Sequence, residues 1–319
     1  MSSYEEYDMN TYLGLDFGGT KLLIGETDEE GNILNTKRYK TGLTDQQEAV
    51  TCIMEALEDY KATTGFQGQL KAAGLGIVGI VNRRRGEWIS MSHEVKNPPI
   101  PLQKLLEEKL QVPCAIDNDV RSATTAELLL GRGQTSEDFI YLNVGTGLAA
   151  GIVTDGRLIR GANNNSGEIG HMVVDINSTQ QCVCHRKGCA ENIVSGTGFT
   201  AQIRREDAAE LLDEDGKAKV VELFRKADAG DPLCQKITDY AAKTLACVIM
   251  NLVRVSDPDT VILGGGIISD GWLLEKTRNY LEAETMRGVS HGIVLSSFDP
   301  RYAGLIGAAS LGMDCIRKK

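Results

Sequence analysis

The sequence lacks a long apolar run and a secretory leader, and each absence excludes a class of protein. No apolar segment approaches the roughly 20 residues that a helix needs to cross a bilayer. The first twelve residues are acidic and polar, without the basic and apolar regions of a signal peptide. We therefore expect a cytoplasmic protein that neither spans nor binds a membrane.

Basic residues are also few. The 319-residue chain has 34 Lys and Arg against 44 Asp and Glu, a formal net charge of −10. No basic arm or basic helix supplies the electrostatic footprint of a nucleic-acid-binding protein, so we expect no nucleic-acid partner. The one basic run, Arg83-Arg84-Arg85 before Gly86, lies between two apolar segments and predicts a solvated hairpin turn.

Three of the eight cysteines lie close together, whereas the other five are scattered singly. The scattered ones are typical of small buried side chains in a reducing compartment. Cys182, Cys184 and Cys189 follow His171, and three thiols with one imidazole are the donor set of a closed tetrahedral zinc site. We predict structural Zn²⁺ at these four side chains; a redox role for the thiols fits the spacing less well.

Two glutamates flank the predicted metal ligands. Glu168 lies three residues before His171, and Glu191 lies two residues after Cys189. A metal that fixes this loop also fixes both carboxylates, an arrangement that suits a polyol or sugar pocket. Ordinary surface charge is the alternative explanation for each glutamate.

Two segments about 130 residues apart follow the same plan of three short strands joined by turns. They run over residues 13–34 and 140–159. A duplicated meander that opens each half predicts two related lobes, as the chain length also favours. We assign residues 1–117 and a C-terminal helix at about 303–319 to a small lobe, and residues 118–302 to a large lobe.

Apolar patterns predict the remaining elements. Helices are expected over 45–63, 102–110, 122–130, 232–255, 272–281 and 303–315, with Pro101 at a first helical position. Strands are expected over 70–81, 112–116 and 260–263. Asp117-Asn118-Asp119 follow the second of these strands, at the edge where open α/β sheets bind ligands. Asp and Asn before a helix are ordinary N-caps, and we assign the capping to Asp117.

Glycine-rich turns supply candidate phosphate sites. Gly74-x-Gly76-x-x-Gly79 matches the letters of the dinucleotide fingerprint, but it lies inside an apolar run rather than at a strand-to-helix turn, so we reject it. The turns Gly18-Gly19-Thr20 and Gly145-Thr146-Gly147 can each present backbone N–H groups to an anion. Each is also explained as an ordinary hairpin turn. As a symmetric pair they suggest a nucleotide phosphate tail gripped between the lobes.

Two further features fit a nucleotide. Asp16 is placed to hold Mg²⁺, directly or through water, because phosphoryl transfer uses a divalent cation that bridges phosphate oxygens. The turn Gly264-Gly265-Gly266 ends a buried strand and can let a planar base lie close to the backbone. A plain strand-end turn is the alternative for these three glycines.

The motifs resemble those of the ROK family within the actin-like ATPase and sugar-kinase superfamily, in the same order and across nearly the whole chain. The segments that carry the resemblance are 16–21, 117–120, 145–147, 167–171, 182–191 and 264–266. The resemblance implies an α/β, two-lobed actin-like ATPase (ribonuclease H-like) fold with a ligand cleft between the lobes. It also implies ATP-dependent phosphorylation of a hexose hydroxyl, usually O6 of glucose or a related hexose.

By the same resemblance Asp119 is the general base, since a carboxylate beside the attacking hydroxyl accepts its proton. The implied sugar ligands are Asn118, Glu168, His171 and Glu191. The implied nucleotide-binding residues are Asp16, Gly18, Gly19, Thr20, Lys21, Gly145, Thr146, Gly147, Gly264, Gly265 and Gly266. ATP, Mg²⁺ and structural Zn²⁺ are the implied ligands, and a homodimer or tetramer is the implied assembly.

Several positions depart from the family's pattern. His185 stands where glycine is usual and rivals His171 as the fourth zinc ligand. Arg121-Ser122 replace a common Asn-Ala pair, Leu148-Ala149-Ala150 replace a more glycine-rich turn, and Ser92–Val95 lacks the usual Asn-Leu pair. These changes leave the sugar open among glucose, allose, mannose, fructose, N-acetylmannosamine and N-acetylglucosamine.

Two functions other than a kinase also remain open. One is a sugar-binding protein with degenerate ATP turns, suggested by Leu148-Ala149-Ala150. The other is a sugar-responsive regulator of the same family. Only fifteen residues precede Asp16, so we expect no helix-turn-helix domain and give the regulator less weight.

Overall fold

The computed structural model describes residues 9–42, 45–91 and 97–317, and the whole of the unusual segment Ser92–Val95 lies outside the described residues. The strands are β1 (Asn10–Phe17), β2 (Lys21–Thr27), β3 (Ile33–Lys40), β4 (Gln69–Ile77), β5 (Ile80–Asn82), β6 (Glu87–Ser90), β7 (Cys114–Asn118), β8 (Phe139–Val144), β9 (Leu148–Thr154), β10 (Arg157–Leu158), β11 (Thr260–Gly264) and β12 (Gly292–Leu295).

The helices are α1 (Gln46–Thr63), α2 (Leu102–Leu110), α3 (Asp119–Leu130), α4 (Gly196–Arg205), α5 (Val220–Asp228), α6 (Pro232–Ser256), α7 (Trp272–Arg278), α8 (Ala283–Met286) and α9 (Ala303–Arg317). Short 3₁₀ helices lie at Arg132–Thr135, Ile169–His171, Ala190–Asn192 and Ala209–Leu211. No helix in the described part of the chain is both long enough and apolar enough to cross a membrane.

Two five-stranded sheets share one topology. The first has the order β3-β2-β1-β4-β7 and the second the order β10-β9-β8-β11-β12. In each sheet the first three strands in this order form an antiparallel meander. The last two strands run parallel to β1 in the first sheet and to β8 in the second. The predicted duplication of a three-strand meander is therefore confirmed.

Alternation along β1 separates the two faces of the first sheet, because successive strand residues point to opposite sides. Leu13 and Leu15 are fully buried in a core that includes residues of α1 and α2. Gly14 faces α9, where a Cβ would lie 2.3 Å from the carbonyl oxygen of Leu305. Glycine on this side of the strand is what allows the helix backbone to approach so closely.

Backbone contacts group the chain into two compact units. The first contains the described residues up to Gln134, the segment Arg160–Asn165, and the residues from Arg301 onward. The second contains Thr135–Ile159 and Ser166–Pro300. This grouping keeps α3 in the first unit, whereas the sequence-based division puts its boundary after residue 117. The assignment of functions to two lobes stays a prediction.

The rejection of the dinucleotide fingerprint is confirmed. Gly74 and Gly76 lie inside β4, and Gly79 occupies the turn to β5 with a φ of +97°. No helix follows the motif, so its backbone does not form the anion-binding turn that the fingerprint requires.

One local prediction was wrong, and another was right only in part: the predicted hairpin turn at Arg83-Arg84-Arg85 joins β5 to β6, but not all three arginines are solvated. Pro101 takes the N-cap position of α2 rather than its first helical position. Arg83, in the basic turn between β5 and β6, is not solvated: it donates to Asp314 of α9 at 3.0 Å, with 15% of its side chain exposed. Only Arg84 and Arg85 are exposed as predicted. A run of three arginines does not indicate which one faces a buried carboxylate.

Candidate functional site

The first glycine turn closes the hairpin between β1 and β2. The N–H of Gly18 donates to the carbonyl of Lys21 at 2.9 Å. Gly19 and Thr20 are exposed at the tip, and a Cβ on Gly19 would have no heavy atom within 4 Å. The tip therefore leaves open space beside the backbone, as a phosphate-binding turn requires.

Asp16 lies one residue before the end of β1. A Cβ on Gly304, in the first turn of α9, would lie 2.5 Å from the Asp16 carboxylate. Burial raises the pKa of this carboxyl above its ordinary value, and the nearby positive charge of Lys21 partly offsets the rise. A half-buried carboxylate without full charge compensation is a suitable oxygen ligand for a divalent cation.

Strand pairing places Asp16 and Asp117 at the same edge of the first sheet. Asp16 pairs with Gly76 of β4, which pairs in turn with Asp117 of β7. Three parallel strands thus end side by side, and adjacent strands are about 4.8 Å apart. The first glycine turn and the segment that begins α3 consequently lie at the same sheet edge within one unit.

The side chains of Asp117, Asn118 and Asp119 have separate roles. Asn118 caps α3, accepting from the N–H of Val120 at 3.0 Å, so the assignment of the capping to Asp117 was wrong. Asp117 is fully buried and accepts from the Nε of Arg160 at 3.0 Å. Asp119 is exposed at the start of α3. The buried position of Asp117 could not be read from three consecutive polar residues.

The second glycine turn joins β8 to β9. The N–H of Gly145 donates to the carbonyl of Gly147 at 3.0 Å, and Thr146 is exposed at the tip. The start of α4 docks on this turn, with the N–H of Gly196 and of Thr197 donating to Gly145 and Thr146 at 2.9 and 3.1 Å.

This helix start escaped the sequence analysis. Its signal was Ser195-Gly196-Thr197-Gly198, in which Ser195 is an N-cap followed by small residues. The Ser195 hydroxyl accepts from the N–H of Gly198 at 3.0 Å.

The glycines after β11 lie next to the second turn. Gly265 has a φ of +97°, and a Cβ there would lie 2.4 Å from the carbonyl oxygen of Val144, the residue before Gly145. The N–H of Ile267 donates to the same oxygen at 3.1 Å. Gly266 is exposed with open space around it. Both predicted nucleotide-binding turns of the second unit are therefore adjacent.

His171 and the three clustered cysteines converge. One ligand atom from each of the four side chains lies within 4.8 Å of all the others. The Sγ of Cys182 is 3.4 Å from the Nδ1 of His171, and the Sγ atoms of Cys184 and Cys189 are 3.5 Å apart. Thiolates bound to one tetrahedral zinc at about 2.3 Å would be about 3.8 Å apart, so the donor set and its spacing fit zinc.

His185, the rival ligand, does not join this group. It is exposed and adopts a positive φ of 66° in the tight turn after Cys184. Its N–H donates to the carbonyl of Cys182 at 2.9 Å. Among the described residues, His171 is the histidine that completes the cluster.

The two flanking glutamates differ in their surroundings. Glu168 caps the 3₁₀ helix Ile169–His171 through its backbone, and its half-buried carboxylate has no hydrogen-bond or ion-pair partner among the described residues. Glu191 accepts from the N–H of Leu148 at 3.0 Å. A Cβ on Gly147 would lie 2.7 Å from the same carboxylate. Glu191 therefore contacts the second glycine turn directly.

Comparison with known proteins identifies relatives over most of the chain. The ROK family model matches residues 12–314. A glucokinase of Halalkalibacterium halodurans is 30% identical over 294 residues, 88% of each chain. An N-acetylmannosamine kinase of Escherichia coli is 29% identical over 304 residues, 94% of this chain and 98% of its own. The crystal structure of a ROK hexokinase from Thermus thermophilus superposes with a TM-score of 0.76 at 30% identity, covering 97% of this chain and all of that one.

Proposed function

The chain belongs to the ROK family, as its motifs predicted, and we propose that it is an ATP-dependent kinase of a hexose or an N-acetylhexosamine. The observation that carries the proposal is the exposed Asp119, the first residue of α3 directly after a parallel strand, at the same sheet edge as the first glycine turn. The two kinds of relative act on different sugars by name, so either class is a candidate substrate.

Asp119 is the proposed general base. Its carboxylate orients the attacking sugar hydroxyl and accepts its proton as the bond to phosphorus forms. Such a base contributes roughly 10²- to 10⁴-fold to turnover. Asp119 is exposed, and its Oδ1 accepts from the N–H of Val120 at 2.9 Å, a contact that holds the carboxylate at the start of α3.

The nucleotide contacts follow from the three turns. We assign phosphate binding to Gly18, Gly19, Thr20 and Lys21 in the first unit and to Gly145, Thr146 and Gly147 in the second. Gly264, Gly265 and Gly266 are assigned to the adenosine. Asp16 is the proposed Mg²⁺ ligand, directly or through water; the cation neutralises charge on the phosphate oxygens.

Sugar hydroxyls are assigned to Asn118 in the first unit and to Glu168, His171 and Glu191 in the second. The carboxylate of Glu168, which has no partner among the described residues, is suited to accept hydrogen bonds from two hydroxyls. The Nδ1 of His171 lies beside Cys182, so Nδ1 is the proposed zinc ligand and Nε2 the proposed sugar contact. Zinc bound to His171 would also fix the orientation of its ring toward the sugar.

The test is release of ADP with Mg-ATP and a panel of sugars: glucose, mannose, allose, fructose, glucosamine, N-acetylglucosamine and N-acetylmannosamine. We expect turnover on one sugar or a few, and a fall in kcat of about 10²-fold or more for Asp119→Asn. Asp45→Asn is the matched control, because Asp45 is an exposed aspartate at the start of α1 in the same unit.

Wild-type turnover by Asp119→Asn would show that the assigned base is wrong. If no sugar is phosphorylated but one raises the melting temperature of the wild type, the protein is a sugar-binding protein instead. The cytoplasmic location and the homodimer or tetramer stay predictions.

A further inference from the structure

A buried charge network lies directly behind the proposed base. Asp117 has no exposed surface, and Arg160 donates to its Oδ2 through Nε at 3.0 Å. An NH1 of Arg121 lies 3.7 Å from its Oδ1, and only 5% of the Arg121 side chain is exposed. Two arginines of the first unit thus share one fully buried aspartate, and the Arg160 side chain is 23% exposed.

Arg121 also contacts the segment that follows Arg160 in the chain. Its NH2 donates to the backbone carbonyl of Asn164 at 2.7 Å. Asn164 has a φ of +54°, a left-handed conformation that only a few residues adopt readily. Arg160 and Arg121 therefore fasten the segment Arg160–Asn165 at both of its ends to the strand and helix that carry Asn118 and Asp119.

The segment Arg160–Asn165 carries two exposed asparagine side chains. Asn163 and Asn165 are exposed, and neither side-chain amide has a hydrogen-bond partner in the described parts of the chain. A side-chain amide offers both a hydrogen-bond donor and an acceptor, so it can bind two neighbouring sugar hydroxyls, donating to one and accepting from the other. Such a loop discriminates between sugars only when its backbone is fixed, because misplaced amides lose their directional contacts.

We propose that Arg121 and Arg160 are positioning residues that hold the asparagine loop Arg160–Asn165 beside Asp119 as a sugar-specificity element. Arg121 acts through the carbonyl of Asn164, and Arg160 acts through Asp117. Arginine rather than the family's usual asparagine is required at position 121, because only its long planar fork reaches both partners. The inference rests on the proposed kinase function.

The experiment uses Arg121→Lys and Arg121→Asn in the full chain. Lysine keeps the positive charge but lacks the planar guanidinium group. The Arg121→Lys variant therefore remains informative if Arg121→Asn fails to fold. Without any ligand, we expect faster amide hydrogen exchange in a peptide that covers residues 160–165. With the best sugar, we expect the KM for sugar to rise about tenfold while the KM for ATP stays within about twofold.

The matched control is Arg83→Lys, which weakens another largely buried Arg–Asp pair of the same unit, to Asp314. It should lower the melting temperature without changing exchange in 160–165 or the KM for sugar. If the Arg121 variants behave like this control, the network is only structural and the proposal fails. If the wild type phosphorylates no sugar, the kinase function fails, while unchanged or faster exchange in 160–165 still decides whether Arg121 holds the loop.

Discussion

Replacing Cys184 by serine tests whether a metal holds the loop that carries Glu191. Few backbone hydrogen bonds secure residues 176–188, and Val183 in their midst is 73% exposed, so hydrophobic packing contributes little there. Structural zinc sites have apparent binding free energies of about 10–16 kcal/mol. If the four ligands contributed equally to this binding free energy, loss of one thiolate would cost about 3 kcal/mol. That corresponds to a reduction of about two orders of magnitude in zinc affinity.

The zinc content is measured first, by elemental analysis of protein purified without chelator. We expect one zinc per chain in the wild type and loss of zinc from Cys184→Ser at a chelator concentration that leaves the wild type loaded. Cys247→Ser is the control, because Cys247 is also half-buried in the second unit but lies outside the cluster. Chelator should lower the melting temperature of the wild type and of this control.

Catalysis gives the second readout of the same variant. Glu191 lies two residues after Cys189, so a loosened loop displaces its carboxylate and should raise the KM for sugar more than the KM for ATP. Wild-type protein without zinc, or Cys184→Ser that retains zinc with unchanged affinity, would refute the assignment of the cluster as a metal site.

Three further substitutions or treatments have defined outcomes. Gly147→Ala places a Cβ 2.7 Å from the Glu191 carboxylate, so we expect a higher KM for sugar in the ADP-release assay with a nearly unchanged melting temperature. Gly74→Ala places a Cβ 1.9 Å from the backbone oxygen of Ala308, and urea denaturation should show a loss of about 3 kcal/mol or more. Burial raises the pKa of Cys114, so its thiol stays protonated at pH 8 and iodoacetamide should label it only after unfolding.

The architecture could be predicted from sequence because its signals are local. Each meander is a run of short strands separated by turn residues, and the two copies reinforce each other. Helices α1, α6 and α9 begin within one residue of their predicted starts, since an N-cap aspartate or a proline marks two of these starts. α7 ends three residues before its predicted end at 281, because the apolar pattern continues beyond the helix.

Side-chain contacts, in the site and elsewhere, could not be predicted in the same way, because they join residues far apart in the chain. Asp117 and Arg160 are 43 residues apart, and Arg83 and Asp314 are 231 apart. Neither pairing has a signature in composition or periodicity. Asn118 caps α3 instead of Asp117 because the strand continues two residues beyond its apolar run, which ends at Ile116, and Asp117 is buried within it.

Glu191 joins the cysteine loop directly to the second glycine turn, so these two features of the second unit lie side by side. A carboxylate in a solvated loop would not need a fixed partner, yet Glu191 accepts from the N–H of Leu148 at the base of the second turn. The hydrogen bond uses the backbone N–H of Leu148, so a leucine makes this contact as well as a glycine would. The departure from the glycine-rich family pattern at this position is therefore compatible with the nucleotide-binding role proposed for the turn, and it weakens the case for a degenerate ATP site.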